Sequence, residues 1–276
     1  MTLKLLLAFD GSPAAIRATA LIAGHAGAEE KLETLLLNVQ PGAVAPGRAA
    51  LEPAAAQLAA SGIAVRRQVR AGPAAPAILA EARRQKPAAI VMGTRGEGAL
   101  HGFALGSVAL RVVHRARLPV FLVKAGDRLP AAFGRRLRVL LATDGSKPAI
   151  RAAQRLVAWR SWLGELEVHI LWVQPPLTYL QTVLPPHDDV IGQWSDKEGK
   201  KATGAAAALL SKAGIAHHVH FSVGDAALEV RSLAEETKAE LVALGTRGLG
   251  AAHHALVGSV ALKSAVASPV PVVLVP

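Results

Sequence analysis

Cysteine is absent from the 276 residues, so no disulfide framework, thiolate metal site or cysteine nucleophile can operate. Aromatic side chains are scarce, and a single tyrosine with five phenylalanines and four tryptophans offers few platforms on which single-stranded bases could stack. No uninterrupted apolar stretch approaches the roughly 20 residues that a membrane-spanning helix needs. The opening M-T-L-K-L-L-L-A-F-D-G-S carries an apolar run too short for a signal peptide and ends in an acidic turn. A soluble, cytoplasmic protein is expected. No Ser/His/Asp set is implied either, because the serines sit beside glycines without an identifiable base.

The net charge of +11 is unevenly spread. Residues 1–125 hold 15 Lys and Arg against seven Asp and Glu (+8), residues 126–136 carry +2, and residues 137–276 carry only +1. An acidic ligand or partner would be drawn to the first part, but charge of this kind informs association rather than chemistry, and nucleic acid is the lesser reading.

What the chain does contain is an internal repeat. D-G-S-P-A-A-I-R-A at Asp10 matches D-G-S-K-P-A-I-R-A at Asp144 in seven of nine positions, and V-Q-P at Val39 returns at Val173 with the same offset of 134. Farther along the offset becomes 152: Gly62 and Gly214, Gly72 and Gly224, and G-S-V-A-L at Gly106 and Gly258. The second copy therefore holds about 18 extra residues between Val173 and Gly214, longer than most connections in compact domains. The repeat divides the chain into a domain at 1–125, a linker at 126–136 and a domain at 137–276.

Each copy reads as strands alternating with helices, which favours a parallel sheet covered on both faces. In the first copy, strands are expected at Leu3 to Phe9, Leu32 to Val39, Ala64 to Arg70, Ala88 to Met92 and Pro119 to Val123. Helices are expected from Ser12-Pro13, a cap and first-turn proline, to about His25, then at Ala49 to Ala60, Ala74 to Lys86 and Ser107 to Arg115. The second copy repeats this order from Arg138 to Val275. Five parallel strands with right-handed crossovers leave a crevice where strand order reverses, and the ends of the first and fourth strands would flank it. Asp10 and Gly93 fall there in one copy, Asp144 and Gly245 in the other.

The tetrapeptide G-T-R-G stands at both fourth-strand ends, as Gly93-Thr94-Arg95-Gly96 and Gly245-Thr246-Arg247-Gly248. Gly106-Ser107 and Gly258-Ser259 follow at the same interval in both copies. Glycines permit close backbone approach, and a Gly-Ser that opens a helix presents amide hydrogens on which an anion can sit. The loop is neither a Walker A motif, for want of Gly-Lys-Ser/Thr, nor the dinucleotide fingerprint, which follows a first strand. Taken with Asp-Gly-Ser at the first strand end, it resembles the nucleotide-binding branch of the universal stress protein family, over both copies almost end to end.

The resemblance implies two tandem doubly wound five-stranded α/β sandwiches, adenine nucleotide alpha hydrolase-like, forming an internal pseudo-dimer in which Pro119 to Val123 faces Pro269 to Val275. It further implies an adenine nucleotide (ATP, ADP or AMP, with a divalent ion such as Mg or Mn) in a sensor or adaptor role in the stress response. Adenine would lie on the backbone after the second strand, at Val39 and Val173, with Asp10 and Asp144 in the pocket. Ribose and phosphates would meet Gly93, Arg95, Gly96, Gly106 and Ser107 in the first copy and Gly245, Arg247, Gly248, Gly258 and Ser259 in the second. Pairing of whole chains into a homodimer and an unidentified protein partner complete what it implies.

Plainer readings stand beside these. Asp10-Gly11-Ser12 is also an ordinary strand-to-helix turn, and Gly106-Ser107 an ordinary cap, although a cap does not require a fixed interval. Slow hydrolysis or phosphotransfer, and a dimerisation module with empty clefts, remain alternatives. Glu97 beside the first loop would oppose phosphate unless Arg95 or a metal compensates, which would weaken the first copy; His253-His254 occupies the second loop. In His217-His218-x-His220 the second and third rings share a strand face without a fixed third ligand, so structural or surface histidines are expected there. Arg66-Arg67 and Arg135-Arg136 read as solvated charge.

Overall fold

The structure is a computed structural model, and it describes residues 2–24, 31–42, 45–94, 105–130, 136–174, 188–248 and 257–276, with the side chains of 45 and 188–196 excepted. In the first half the strands are β1 (Thr2–Ala8), β2 (Lys31–Gln40), β3 (Ala64–Ala71), β4 (Ala89–Gly93) and β5 (Val120–Val123). Its helices are α1 (Pro13–Ala23), α2 (Ala45–Ala60), α3 (Ala74–Gln85) and α4 (Ser107–Arg115). The second half contributes β6 (Leu137–Ala142), β7 (Leu166–Gln174), β8 (Ala216–Val223), β9 (Leu241–Gly245) and β10 (Val272–Val275). Its helices are α5 (Lys147–Ala158), α6 (Arg160–Leu163), α7 (Asp188–Lys212), α8 (Ala226–Glu236) and α9 (Ser259–Ala267). None is long and apolar enough to cross a membrane, among the described residues.

All ten strands form one sheet in the order β3-β2-β1-β4-β5-β10-β9-β6-β7-β8. Pairing is parallel within each half and antiparallel only between β5 and β10, where Phe121 stands opposite Val273. The expected edge-to-edge meeting of the two last strands is thus a direct ladder, and it removes two apolar edges at once. Around that ladder Phe121, Trp159 and Trp162 form an aromatic triad with ring centroids 5.4 to 5.8 Å apart. Lys124 Nζ donates to the carbonyls of Val266 and Ser268, and Arg128 N donates to Pro269 O, so the chain leaving β5 is tied to the second half.

One apolar core lies on each face of the sheet and runs through both halves. The first fills the space under α1, α2, α5, α6 and α7, with Leu5, Leu36, Phe121, Leu141 and Val273 buried. The second lies under α3, α4, α8 and α9, with Leu6, Ile90, Val112, Leu140 and Leu274 buried. Strands buried on both faces explain the near-continuous apolar runs such as L-L-L-A and V-V-L-V.

Three features depart from expectation. The second helix begins at Ala45, four residues before the expected start at Ala49, and carries Pro53 inside it. A short helix, α6, follows Trp159 and is closed by Gly164 at φ 84°. The second-copy insertion is partly helical: α7 has 25 residues where α2 has 16, and the gain is at its amino end. Residues 175–187 lie outside the described residues.

Candidate functional site

In each half the first strand lies between the second and the fourth, which opens a crevice at the carboxyl ends of β1 and β4, and of β6 and β9. Between β1 and β4 the crevice is a cavity of about 420 Å³, within the range of small-molecule sites. Asp10 and Val39 line it from the strand ends, Gly93 and Thr94 from the end of β4, and Gly106 and Ser107 from the start of α4. Arg95, Gly96, Glu97 and the neighbouring loop lie outside the described residues. At matched positions the second half repeats this lining and differs only where Phe9, Ile78 and Met92 are replaced by Thr143, Val230 and Leu244.

The Asp-Gly-Ser segment is a cap and a wall of the cleft together. Gly11 and Gly145 take φ of 86° and 79°, which L side chains avoid, and turn the chain from strand to helix. Ser12 Oγ then accepts from Ala15 N at 3.2 Å, and Ser146 Oγ from Ala149 N at 3.4 Å, capping α1 and α5. Asp10 Oδ1 accepts from Ser12 N at 3.1 Å and from its hydroxyl at 2.6 Å, which fixes the carboxylate at the exposed rim. Asp144 accepts from Ser146 N at 3.0 Å but is half-buried, while Ser146 Oγ also lies 3.2 Å from Arg247 O.

The glycine loop is closed at its base by a hydrogen bond that the sequence did not disclose. Gly106 N donates to Thr94 O at 2.8 Å, and Gly258 N to Thr246 O at 2.7 Å. The residues so joined are Thr94 and Thr246 of the repeated tetrapeptide, so the constant interval to Gly-Ser is a closed loop of constant size. Gly106 and Gly258 are helix N-caps without a side-chain hydrogen bond, and the first turn of α4, from Ser107 to Ala109, lines the crevice.

Gly93 and Gly245 have a packing role as well. A Cβ on Gly93 would lie 2.8 Å from Ala14 Cβ, and one on Gly245 would lie 2.6 Å from Ala149 N, so the strand end and the helix start touch backbone to backbone. On Gly248 a Cβ would run into Asp144 Oδ2. In the second half Thr143 Oγ1 accepts from Gly145 N at 3.1 Å, and a Cβ on Gly145 would stand 3.1 Å from Ala202 Cα, so α7 leans on the turn. His253, His254 and Leu249 lie outside the described residues.

Away from the clefts, the histidines of β8 do not stand alone. His169 on β7, which sequence reasoning missed, lies opposite His218, with Nδ1 2.9 Å from His220 Nε2 and ring centroids 5.2 and 5.1 Å from His218 and His220. Burial and the neighbouring imidazoles hold His169 and His220 below the usual histidine range. No group of three or more His, Asp or Glu that could hold a metal occurs among the described residues. Arg66, Arg67 and Arg136 are about half exposed and pair with Glu33, Glu52 and Glu165, as solvated charge does; Arg135 lies outside the described residues.

A doubly wound sheet with a glycine-closed cleft at its switch point defines an adenine nucleotide alpha hydrolase-like fold. The universal stress protein family model matches residues 1–124 and 136–276, and the chain belongs to that family. It is 32% identical over 194 residues to a universal stress protein of Mycolicibacterium smegmatis, covering 67% of this chain and 60% of that relative's length. Among solved structures, a universal stress protein from Archaeoglobus fulgidus superposes with a TM-score of 0.65 at 23% identity, over 99% of this chain and 97% of that one. A Pseudomonas aeruginosa protein of unknown function gives 0.67 at 16% identity, covering 99% and 92%. These two likenesses concern the fold.

Proposed function

We propose that the chain binds an adenine nucleotide (ATP, ADP or AMP) in the crevice of each half and acts as a nucleotide-loaded sensor or adaptor in the stress response rather than by turnover. The cavity between β1 and β4 carries this reading: about 420 Å³, apolar on the strand side, with the amino end of α4 at one rim and the Asp10 carboxylate at the other. Phosphate would sit on the amides after Gly106 with the Ser107 hydroxyl as an added donor, and the helix dipole favours its charge. Adenine would lie against Leu37, Val39 and Ile78. The repeat of the lining in the second half supports two nucleotides per chain. A divalent ion would enter with the phosphates, held by them and by Asp10 or Asp144. Rapid hydrolysis needs a positioned base and a defined metal-ligand set, and Asp10 and Asp144 are the carboxylates shared by both clefts.

Native mass spectrometry of the full chain purified without added ligand, with equilibrium dialysis against ATP and AMP, tests the reading. Retention of up to two nucleotides, lost stepwise in Asp10→Ala and Asp144→Ala, is expected. No retention of any adenine nucleotide would leave the empty-cleft alternative standing. Phosphate release above background that disappears in the two aspartate variants would replace the binding role with slow hydrolysis.

A further inference from the structure

Among the described residues the ten-stranded sheet ends in two unpaired edges, β3 and β8, and the repeat treats them differently. On β3, Arg66, Arg67 and Arg70 are 61, 51 and 46% exposed and pair with Glu33 of β2, Glu52 of α2 and the buried Glu81 of α3. Charged side chains of this kind keep a foreign strand from adding to an edge. At the matched positions β8 has His218, Val219 and Ser222, and no Lys, Arg, Asp, Glu or Pro occurs anywhere in A-H-H-V-H-F-S-V. Val219, Phe221 and Val223 line one face of this strand at 41, 41 and 60% exposure. Among the described residues β8 pairs only with β7, all along its eight residues and without a bulge.

We infer that two copies of the chain associate edge to edge through β8, antiparallel, about a two-fold axis. Three edge pairings are available to identical chains. Two β3 strands would set arginines against arginines, which like charges directly opposite disfavour. Joining β3 to β8 of another copy leaves one of each edge open, so the contact propagates instead of closing. Two β8 strands meet without like charges, bring Val219, Phe221 and Val223 against their counterparts, and leave only the guarded β3 edges outside. The β5–β10 ladder already joins the two halves of one chain by antiparallel pairing of edge strands, and the β8 seam repeats that device between chains. It is independent of nucleotide.

Sedimentation velocity of the full chain over a micromolar dilution series tests this, with Val219→Arg as the probe. Arg67 occupies the matched place on β3, so an arginine suits the strand, and unchanged far-ultraviolet circular dichroism would verify the fold. The wild type is expected to be dimeric, and the variant's dissociation constant to rise about tenfold or more. Val219→Thr, uncharged and β-branched, should stay within a few-fold of the wild type on the same electrostatic ground. Hydrogen exchange on the unmutated chain gives a second readout: β8 amides should gain protection with protein concentration and β3 amides should not. A monomer at every concentration, a dimer indifferent to Val219→Arg, or concentration-dependent protection on β3 rather than β8 would overturn the inference.

Discussion

The Arg17 guanidinium donates from both Nε and Nη2 to the carbonyl of Asp127, at 3.0 and 2.7 Å, across 110 residues of sequence. Its repeat counterpart, Arg151, donates to the carbonyl of Pro276. The shared I-R-A thus has a structural explanation: each first helix of a half holds the chain that leaves the last strand of that half. Arg17→Ala should therefore loosen residues 124–130, cost about 1 to 2 kcal/mol in urea denaturation, and speed hydrogen exchange in that segment. Arg17→Lys, which keeps the charge without the fork, should recover less than half of the loss. Equal stability of all three proteins would show that the latch is incidental.

Two glycines of the second half should respond unequally to the same substitution. Gly245→Ala forces a methyl to within 2.6 Å of Ala149 N, a backbone atom that cannot swing away, so a loss of about 1 to 3 kcal/mol is expected. At Gly258 the nearest atom to an added Cβ is Thr246 O at 3.6 Å and φ is −72°, an ordinary value for any residue. Gly258→Ala should cost only about 0.5 to 1 kcal/mol, the preference for glycine over alanine at an N-cap without any added clash. Thermal melts of both variants check the contrast, and a Gly245→Ala protein as stable as the wild type would mean that the loop moves to make room.

What could be read from the sequence was local or repeated. Ser12-Pro13 marks a helix start because the cap and the proline act on adjacent backbone, and Pro119 to Val123 reads as the last strand of its half because it is a short apolar run opened by proline. Asp10 and Gly93 could be grouped because topology brings the ends of the first and fourth strands together at a switch point, and the family resemblance added Val39 and Ser107. The Thr94 to Gly106 closure stayed hidden, since a backbone hydrogen bond leaves no mark on side-chain identity. His169 was missed for a different reason: its partner His220 lies 51 residues on, and strand register cannot be read from either strand separately. The extension of α7 was concealed because D-D-V-I-G-Q-W-S-D, from Asp188 to Asp196, is short, polar at both ends and interrupted by Gly192.

The His169–His218–His220 cluster should make stability depend on pH. Folded-state pKa values of His169 and His220 lie below the ordinary value of about 6.5, so the unfolded chain binds more protons as pH falls. Stability from these groups is complete above the unfolded pKa and is lost as pH falls from there through the folded values. Glu167 near His169 and His218, and Glu236 near His220, oppose the loss, while Arg138 adds to it at His169. His220→Gln places the residue that Gln68 supplies at the matched position and should flatten the dependence. Urea midpoints measured across the range below neutrality test this, and parallel curves for variant and wild type would exclude the cluster as their source.

Glu81 is the corresponding acidic device in the first half. Its buried carboxylate accepts from Gln68, Arg70, Arg84 and Gln85 at 2.6 to 3.3 Å, tying β3 to the helix whose start lines the cleft. Burial by itself would raise its pKa, but the four donors outweigh burial and hold it below the usual carboxylate range. Stability from Glu81 is therefore present above the unfolded carboxylate pKa and lost as pH falls through the folded value. Because Arg70 and Arg84 are about half exposed and can turn to water, Glu81→Gln should cost only about 1 to 2 kcal/mol at neutral pH. Glu81→Leu leaves the Gln68 and Gln85 amides without their acceptor and should cost more. If α3 sets the cleft wall through this network, Glu81→Leu should also weaken nucleotide retention in the first half while leaving the second half unchanged, which native mass spectrometry of the variant would resolve.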